Sequence, residues 1–77
     1  MNEDHTKIIN FIYSEFGLSD VVSNTSLFSS KKLDSLNALS IILYIENAFE
    51  IKIDPFSVGI EDFDTVDRIV KLINDSR

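Results

Sequence analysis

One uninterrupted helical segment constrains the fold of this chain more than any other feature. The sixteen residues that follow Ser35 contain neither glycine nor proline. At 100° per residue, their apolar side chains include a set within one arc of a helix, wide enough to form a core-facing side. Asp34 or Ser35 is the predicted N-cap, because either side chain can accept hydrogen bonds from the backbone N–H groups of the first turn. The predicted core-facing residues are Ala38, Ile41, Ile42, Ile45, Ala48 and Phe49.

Three leucines lie on a second side of the same helix, among polar residues. They are Leu36, Leu39 and Leu43, here called the leucine ridge. Two interpretations are open. Either neighbouring elements bury the helix on nearly all sides, or the ridge is an exposed surface for a partner protein beside a serine at the helix start.

Two further helices are predicted, one towards each end of the chain. Residues 3–16 carry apolar side chains at intervals of three and four, and Gly17 suits the left-handed position past a helix end. The last helix begins near Phe63 with Asp64 as its N-cap, and residues 74–77 are expected to fray. The first helix presents Ile8, Ile9, Ile12, Tyr13 and Phe16, and the last presents Val66, Ile69, Val70 and Ile73.

The remaining predictions concern the segments that connect the helices. The loop at residues 19–34 is long for a compact domain, and loops of this length are often functional. It is expected to contain one helical turn at Thr25–Phe28. The segment Ile51–Ile53 is expected to be extended with both isoleucines buried, and Asp54–Pro55 to begin a short helix at residues 56–60. The predicted anchors of the long loop are Val21, Val22, Leu27 and Phe28.

The 77 residues therefore predict one all-α domain, residues 1–77. Its expected architecture is a small four-helix bundle with three longer helices and one short one. The chain has no cysteine, which excludes disulfides and thiolate metal sites. The single histidine, His5, lies near a terminus that is expected to fray. We therefore predict no metal site, no catalytic residues and a monomer.

Charge and hydropathy exclude other classes. Thirteen acidic and seven basic residues give a net charge of −6, which argues against nucleic-acid binding. The acids between residues 53 and 67, with Glu46 and Glu50, predict a patch that attracts a basic face of a partner. No apolar run approaches the length of a membrane span, and the N-terminus does not resemble a secretory signal, so we expect a cytoplasmic protein without membrane insertion.

The residues Asp34-Ser35-Leu36 head a helix that ends in Ile45-Glu46-Asn47-Ala48-Phe49, with Ile51 and Ile53 after it. This arrangement resembles the acyl carrier protein family over nearly the whole chain. Leu33-Asp34-Ser35 and Glu61-Asp62-Phe63-Asp64-Thr65, with Phe56, look closest to the D-alanyl, aminoacyl and peptidyl carriers. Fatty-acid carriers usually have glycine where Lys32 stands and a more acidic second helix.

The resemblance implies a carrier, not an enzyme. It places 4′-phosphopantetheine from coenzyme A on Ser35, holding an acyl or aminoacyl group as a thioester, with Asp34 helping the transferase to hold its metal ion. The backbone N–H groups and dipole of the first turn would favour the attached phosphate. The implied partners are a phosphopantetheinyl transferase, an AMP-forming acyl or aminoacyl ligase, and a downstream acyltransferase or condensing enzyme. The implied partner-contacting positions are Leu36, Leu39, Leu43 and Glu46.

The alternative is an unmodified helical interaction module whose leucine ridge grips a partner helix. Both hypotheses need an exposed ridge, and only the carrier needs a modified serine. The sequence does not name the cargo of a carrier or its pathway.

Overall fold

The computed structural model describes residues 3–54 and 56–77, and these form α1 (Glu3–Phe16), α2 (Ser35–Phe49), a 3₁₀ helix (Ile60–Phe63) and α3 (Val66–Ser76). There is no strand in either described range, so the all-helical prediction is confirmed. None of the helices in these ranges is both long and apolar enough to cross a bilayer.

The short fourth helix of the expected bundle was predicted in the wrong place and of the wrong type. Asp54 accepts hydrogen bonds from Phe56 and Ser57, which close a turn instead of a helix. The helical residues follow Gly59 and form a single 3₁₀ turn. The structure is therefore three α-helices and a 3₁₀ turn within the described residues. The predicted role of Pro55 at a helix start lies outside them.

Every segment of the chain contributes side chains to one core. Ile51 and Ile53 are buried, as predicted, in a segment without regular secondary structure. In the long loop Val21 and Leu27 are buried and Phe28 is half-buried, but Val22 is exposed, against the prediction. The buried side chains of the helices are Ile8 and Ile12 on α1, Ala38, Ile41 and Ile45 on α2, Phe63 on the 3₁₀ helix, and Val66, Ile69, Val70 and Ile73 on α3.

Aromatic packing sets α1 antiparallel to α2. The ring of Phe11 stacks on that of Tyr44 with centroids 4.1 Å apart, and the Lys7 ammonium lies 5.5 Å from the centroid of Phe49. Residues later in α1 therefore lie beside residues earlier in α2. Because Phe49 is half-buried and Ala48 exposed, the core-facing side of α2 is narrower than its apolar pattern predicts.

The helix ends follow local chemistry. Gly17 ends α1 in the left-handed region (φ 73°), as predicted, and its N–H donates to the Tyr13 carbonyl. Glu50 takes the same conformation after α2 (φ 55°) although it is not a glycine. The long loop makes two turns, on either side of the one expected at Thr25–Phe28. The Thr25 N–H donates to the Val22 carbonyl at 3.2 Å, and the Lys31 N–H donates to the Phe28 carbonyl at 3.0 Å.

The prediction of the residue that caps the start of α3 was wrong. Thr65, not Asp64, is the N-cap, because its hydroxyl accepts from the Arg68 N–H at 3.1 Å. The helix continues to Ser76, so its last turn is formed. Arg77 then pairs with Asp4 at 3.1 Å, which ties the end of α3 to the start of α1.

Asp64 is the only polar or charged residue classed as buried among the described residues, with 8% of its surface exposed. Its pKa is lowered from the ordinary value of 3.8, chiefly because the backbone N–H of Ser29 donates to it. Burial opposes this shift, and further hydrogen bonds from Phe28, Ser29 and Ser26 support it. The side chain is therefore a buried anion at neutral pH.

This lowered pKa predicts a pH-dependent contribution to stability. A carboxyl whose folded pKa lies below its unfolded pKa stabilises the fold above the unfolded value and loses that contribution as pH falls through the folded value. The difference in unfolding free energy between wild type and Asp64→Asn should therefore shrink once pH falls below about 3.8. Urea titrations of both proteins at several pH values test this. A difference that stays constant down to the most acidic point would contradict it.

Candidate functional site

Ser35 is the first residue of α2, and its side chain is exposed. Within the described residues no group forms a hydrogen bond with its hydroxyl. Ser29 and Ser30 differ, since the hydroxyl of Ser29 donates to Asp64 at 3.0 Å and that of Ser30 donates to the Ser26 carbonyl at 2.6 Å. Unlike Ser29 and Ser30, Ser35 therefore has a hydroxyl that another enzyme can reach without breaking a hydrogen bond.

Asp34, not Ser35, is the N-cap of α2. Its Oδ1 atom accepts from the N–H groups of Leu36 at 3.0 Å and Asn37 at 3.2 Å. The Asn37 side chain accepts in return from the Asp34 N–H at 2.9 Å, which completes a capping box. This leaves the Ser35 side chain out of the helix cap, and it leaves Oδ2 of Asp34 without a hydrogen bond in the described part of the chain.

The same cap changes the expectation for an anion at this position. The Leu36 and Asn37 N–H groups already donate to Asp34, and the Ala38 N–H donates to the Asp34 carbonyl. An attached phosphate would therefore find these donors occupied and a carboxylate beside it. The helix dipole remains favourable, at about 0.3–1 kcal/mol.

A cleft of about 370 Å³ opens beside Ser35. It lies between the long loop and the 3₁₀ helix. The buried carboxylate of Asp64 contributes to its polar wall, together with the exposed Glu61. Its lining residues are Phe28, Ser29, Leu33, Asp34, Ser35, Ile60, Glu61 and Asp64.

The leucine ridge is exposed, so the interpretation in which α2 is buried on nearly all sides is wrong. Leu36 is 76% exposed, and Leu39 and Leu43 are each 54% exposed. The ridge begins at the residue after Ser35 and runs along α2, and the core residues Ala38, Ile41 and Ile45 occupy the other side. A protein that reaches Ser35 therefore meets an apolar surface next to it.

Two further apolar side chains are exposed outside α2. Phe56 is 96% exposed, and Ile60, on the wall of the cleft, is 43% exposed. A second groove of about 490 Å³ lies between α1 and α2 and includes Leu43 in its lining.

Glu46 has a structural contact that its predicted partner role did not anticipate. Its Oε2 atom accepts from the backbone N–H of Ile53 at 2.9 Å, and this holds the segment Ile51–Ile53 against the end of α2. One oxygen of the carboxylate is therefore already used inside the fold.

Other acids of the expected patch are also bonded within the chain. Asp62 accepts from the Gly59 N–H at 2.8 Å, and Asp67 lies 2.9 Å from the His5 ring nitrogen. His5 thus has a partner on α3 instead of lying at a frayed end. These acids are therefore less available for direct contact with a partner. The patch acids whose side chains have no hydrogen bond within the described residues are Glu50 and Glu61.

The described residues contain no cluster of three or more histidine or carboxylate side chains placed to hold a metal ion. The single histidine is bound to Asp67, away from the motif in sequence.

Comparison with known proteins agrees with this geometry. No family model matches the chain. The D-alanyl carrier proteins of Streptococcus mutans and Streptococcus gordonii are 31% and 30% identical to it over 71 residues, which cover 92% of this chain and 87% of each relative. That of Streptococcus uberis is 40% identical over 50 residues, 65% of this chain and 63% of the relative, slightly less than two thirds of its length. The chain therefore belongs to the D-alanyl carrier protein family, a family of carrier proteins.

Proposed function

We propose that this protein carries an acyl or aminoacyl group as a thioester on 4′-phosphopantetheine attached to Ser35. The observation that carries the proposal is the exposed Ser35 hydroxyl, which has no hydrogen bond in the described residues, at the start of α2. When bound, the group supplies a thiol that forms the thioester. The chain supplies the acceptor hydroxyl and the surface that partner enzymes recognise, and no catalytic residue.

The residues around Ser35 fit such a group. The serine is not needed for the helix cap, because Asp34 fills that role. Oδ2 of Asp34 is left for a metal ion that the transferase brings to the serine. The cleft beside Ser35 combines apolar walls from Phe28 and Leu33 with polar ones, which suits a flexible arm that contains amides and methyl groups.

The proposed cargo is D-alanine, because the relatives are named D-alanyl carrier proteins. An AMP-forming ligase would load it, and a downstream acyltransferase would remove it. The ligase uses ATP and the transferase uses coenzyme A, so we place this function in the cytoplasm. The departures from fatty-acid carriers, Lys32 and the few acids of α2, support an aminoacyl cargo over a fatty acyl chain.

The proposed partner face is the leucine ridge with Glu46 at its side. Apolar contacts at the centre of an interface contribute most when they are fully desolvated. The three leucines are exposed to solvent in the free protein, so a partner that covers them would desolvate them. Because Ile53 occupies one oxygen of Glu46, that residue offers a partner its second oxygen alone.

The direct test is the intact mass of the purified protein after incubation with coenzyme A and a broad-specificity phosphopantetheinyl transferase. A gain of one phosphopantetheine per chain, followed by a gain of one alanyl group with D-alanine, ATP and a D-alanine-activating ligase, is the expected result. A chain that stays unmodified with several transferases would favour the interaction module instead.

Electrostatic attraction should speed this loading. The net charge of −6 predicts that the rate falls as ionic strength rises from about 0.01 M to about 0.15 M, where the screening length drops from about 30 Å to about 8 Å. Reversing the free acid beside the cleft, Glu61→Lys, should slow loading at low salt. The control is Glu3→Lys, which makes the same charge change on α1, whose start packs near the far end of α2 from Ser35.

The two lysines before the motif allow a test of whether the partner face is basic or acidic. Lys31 and Lys32 are exposed and form no ion pair within the described residues. If the partner face is basic, Lys32→Glu should speed loading at low salt. Slower loading by this variant would contradict a basic partner face and indicate acidic groups on the partner near Ser35.

A further inference from the structure

The buried carboxylate of Asp64 collects donors from the loop that leads to Ser35. Its Oδ1 atom accepts from the backbone N–H groups of Phe28 at 2.8 Å and Ser29 at 2.9 Å. Its Oδ2 atom accepts from the Ser29 hydroxyl at 3.0 Å and the Ser26 hydroxyl at 3.2 Å. The side chain of Asp64, the residue directly after the 3₁₀ helix, thus accepts hydrogen bonds from four donors within residues 26–29.

A chain of backbone hydrogen bonds continues from this cluster to the motif. The Leu27 N–H donates to the Asp64 carbonyl at 2.7 Å, and the Leu33 N–H donates to the Leu27 carbonyl at 2.9 Å. Leu33 is buried and directly precedes Asp34 and Ser35. The position of the cap and of the serine is therefore tied to the backbone carbonyl of Asp64 through two hydrogen bonds. The carboxylate strengthens this tie, because it binds the residues on both sides of Leu27.

Asp64 also lines the same cleft as Ser35. The residues that it binds, Phe28 and Ser29, form another part of that lining. Loss of the carboxylate would release the loop wall and change the shape of the cleft at the same time. Its low exposure means that water would not replace the carboxylate as a single fixed acceptor for these donors.

We propose that Asp64 is a positioning residue for the modification of Ser35. Resting on the proposed function, this inference assigns Asp64 the role of holding residues 26–33 so that the Ser35 hydroxyl is presented in one orientation to the transferase. Asp64 touches neither the hydroxyl nor the transferred group, and it acts through the loop. A small displacement of a reacting group lowers the rate of a group transfer strongly, by up to about 100-fold for about 1 Å.

The test compares Asp64→Ala with Thr65→Ala, a control at the next residue. Thr65→Ala removes the N-cap of α3 and destabilises that helix but leaves every loop contact of the carboxylate in place. Both variants are assayed at a temperature where circular dichroism shows them folded. The measured quantities are the kcat and KM of one transferase, with coenzyme A in excess and the carrier as the varied substrate. For Asp64→Ala the kcat should fall at least about ten-fold with little change in KM, and for Thr65→Ala it should stay within about two-fold of the wild-type value.

Asp64→Asn provides the rescue. The amide oxygen can accept from the Phe28 and Ser29 N–H groups, and the serine hydroxyls can turn to accept from the amide nitrogen. We expect its kcat within about three-fold of wild type. Amide hydrogen exchange gives a second reading: exchange at Phe28, Ser29 and Leu33 should speed up in Asp64→Ala and not in Thr65→Ala.

If folded Asp64→Ala is loaded as fast as Thr65→Ala, the positioning role is overturned and Asp64 is purely structural. If Asp64→Ala does not fold, the comparison moves to Ser29→Ala, which removes a single side-chain donor, and equal kcat for it and wild type overturns the proposal. A wild type that gains no mass with any transferase overturns the proposed function itself, and the unchanged mass distinguishes that result from failure of the Asp64 proposal.

Discussion

Ser35→Ala is expected to abolish attachment of phosphopantetheine completely. The transferred group bonds to the hydroxyl oxygen, and alanine has no atom in its place. The nearby hydroxyls of Ser29 and Ser30 are engaged inside the fold, so neither is expected to serve as a substitute acceptor. Intact-mass measurement on wild type and variant, treated together with coenzyme A and transferase, gives the result.

The variant should keep its fold, so loss of modification will not reflect unfolding. Because Asp34 is the N-cap, removing the Ser35 hydroxyl breaks no hydrogen bond in the described residues. Alanine also has the higher helix propensity, and we expect a change in unfolding free energy within about 0.5 kcal/mol. Circular dichroism checks this, and Ser30→Ala is the matched serine control that should still be modified.

Two results would contradict this assignment. If Ser35→Ala still gained the group, another hydroxyl would be the acceptor. If Ser30→Ala lost the group while remaining folded, the loop turn and not the Ser35 hydroxyl would decide modification.

Ile45→Ala should unfold the domain far more readily than Leu43→Ala. The two residues are aliphatic, lie two positions apart on α2 and point to different sides. Ile45 is fully buried, and removing such a side chain costs about 2–5 kcal/mol. Leu43 is 54% exposed, so its truncation should cost less than about 1 kcal/mol. The total free energy of unfolding of a small domain is about 5–15 kcal/mol, so urea denaturation resolves the difference between the two variants.

For transfer between partner enzymes, in contrast, the ridge variant should be affected and a folded core variant should not. Leu43→Ala should raise the KM for transfer to or from a partner enzyme, since it removes part of the leucine ridge from the interface. Ile45→Val, which costs about 0.5–1.5 kcal/mol, is the folded core control and should leave KM unchanged. Equal destabilisation by Leu43→Ala and Ile45→Ala would mean that the ridge belongs to the core.

Local physical chemistry accounts for how much could be predicted from the sequence. The bounds of α1 and the start of α2 follow from apolar periodicity, from Gly17 and from a capping residue, all of which act within a few residues of one another. The motif at Ser35 is local in the same sense. The resemblance of the whole chain to carrier proteins is confirmed by the relatives. The buried stripe of α3 was predicted because a strict helical repeat leaves one apolar side.

Contacts between distant residues were decided by the tertiary structure alone. Periodicity cannot tell an exposed ridge from a buried one, since that depends on whether another element covers it. The described residues leave each leucine of the ridge more than half exposed. Asp64 resembled an N-cap in sequence, yet it faces donors more than thirty positions earlier in the chain. Glu46 looked like a surface acid until Ile53 folded back onto it. In each case the deciding partner lies in another segment of the fold or is absent, and packing alone brings it near or leaves the site open.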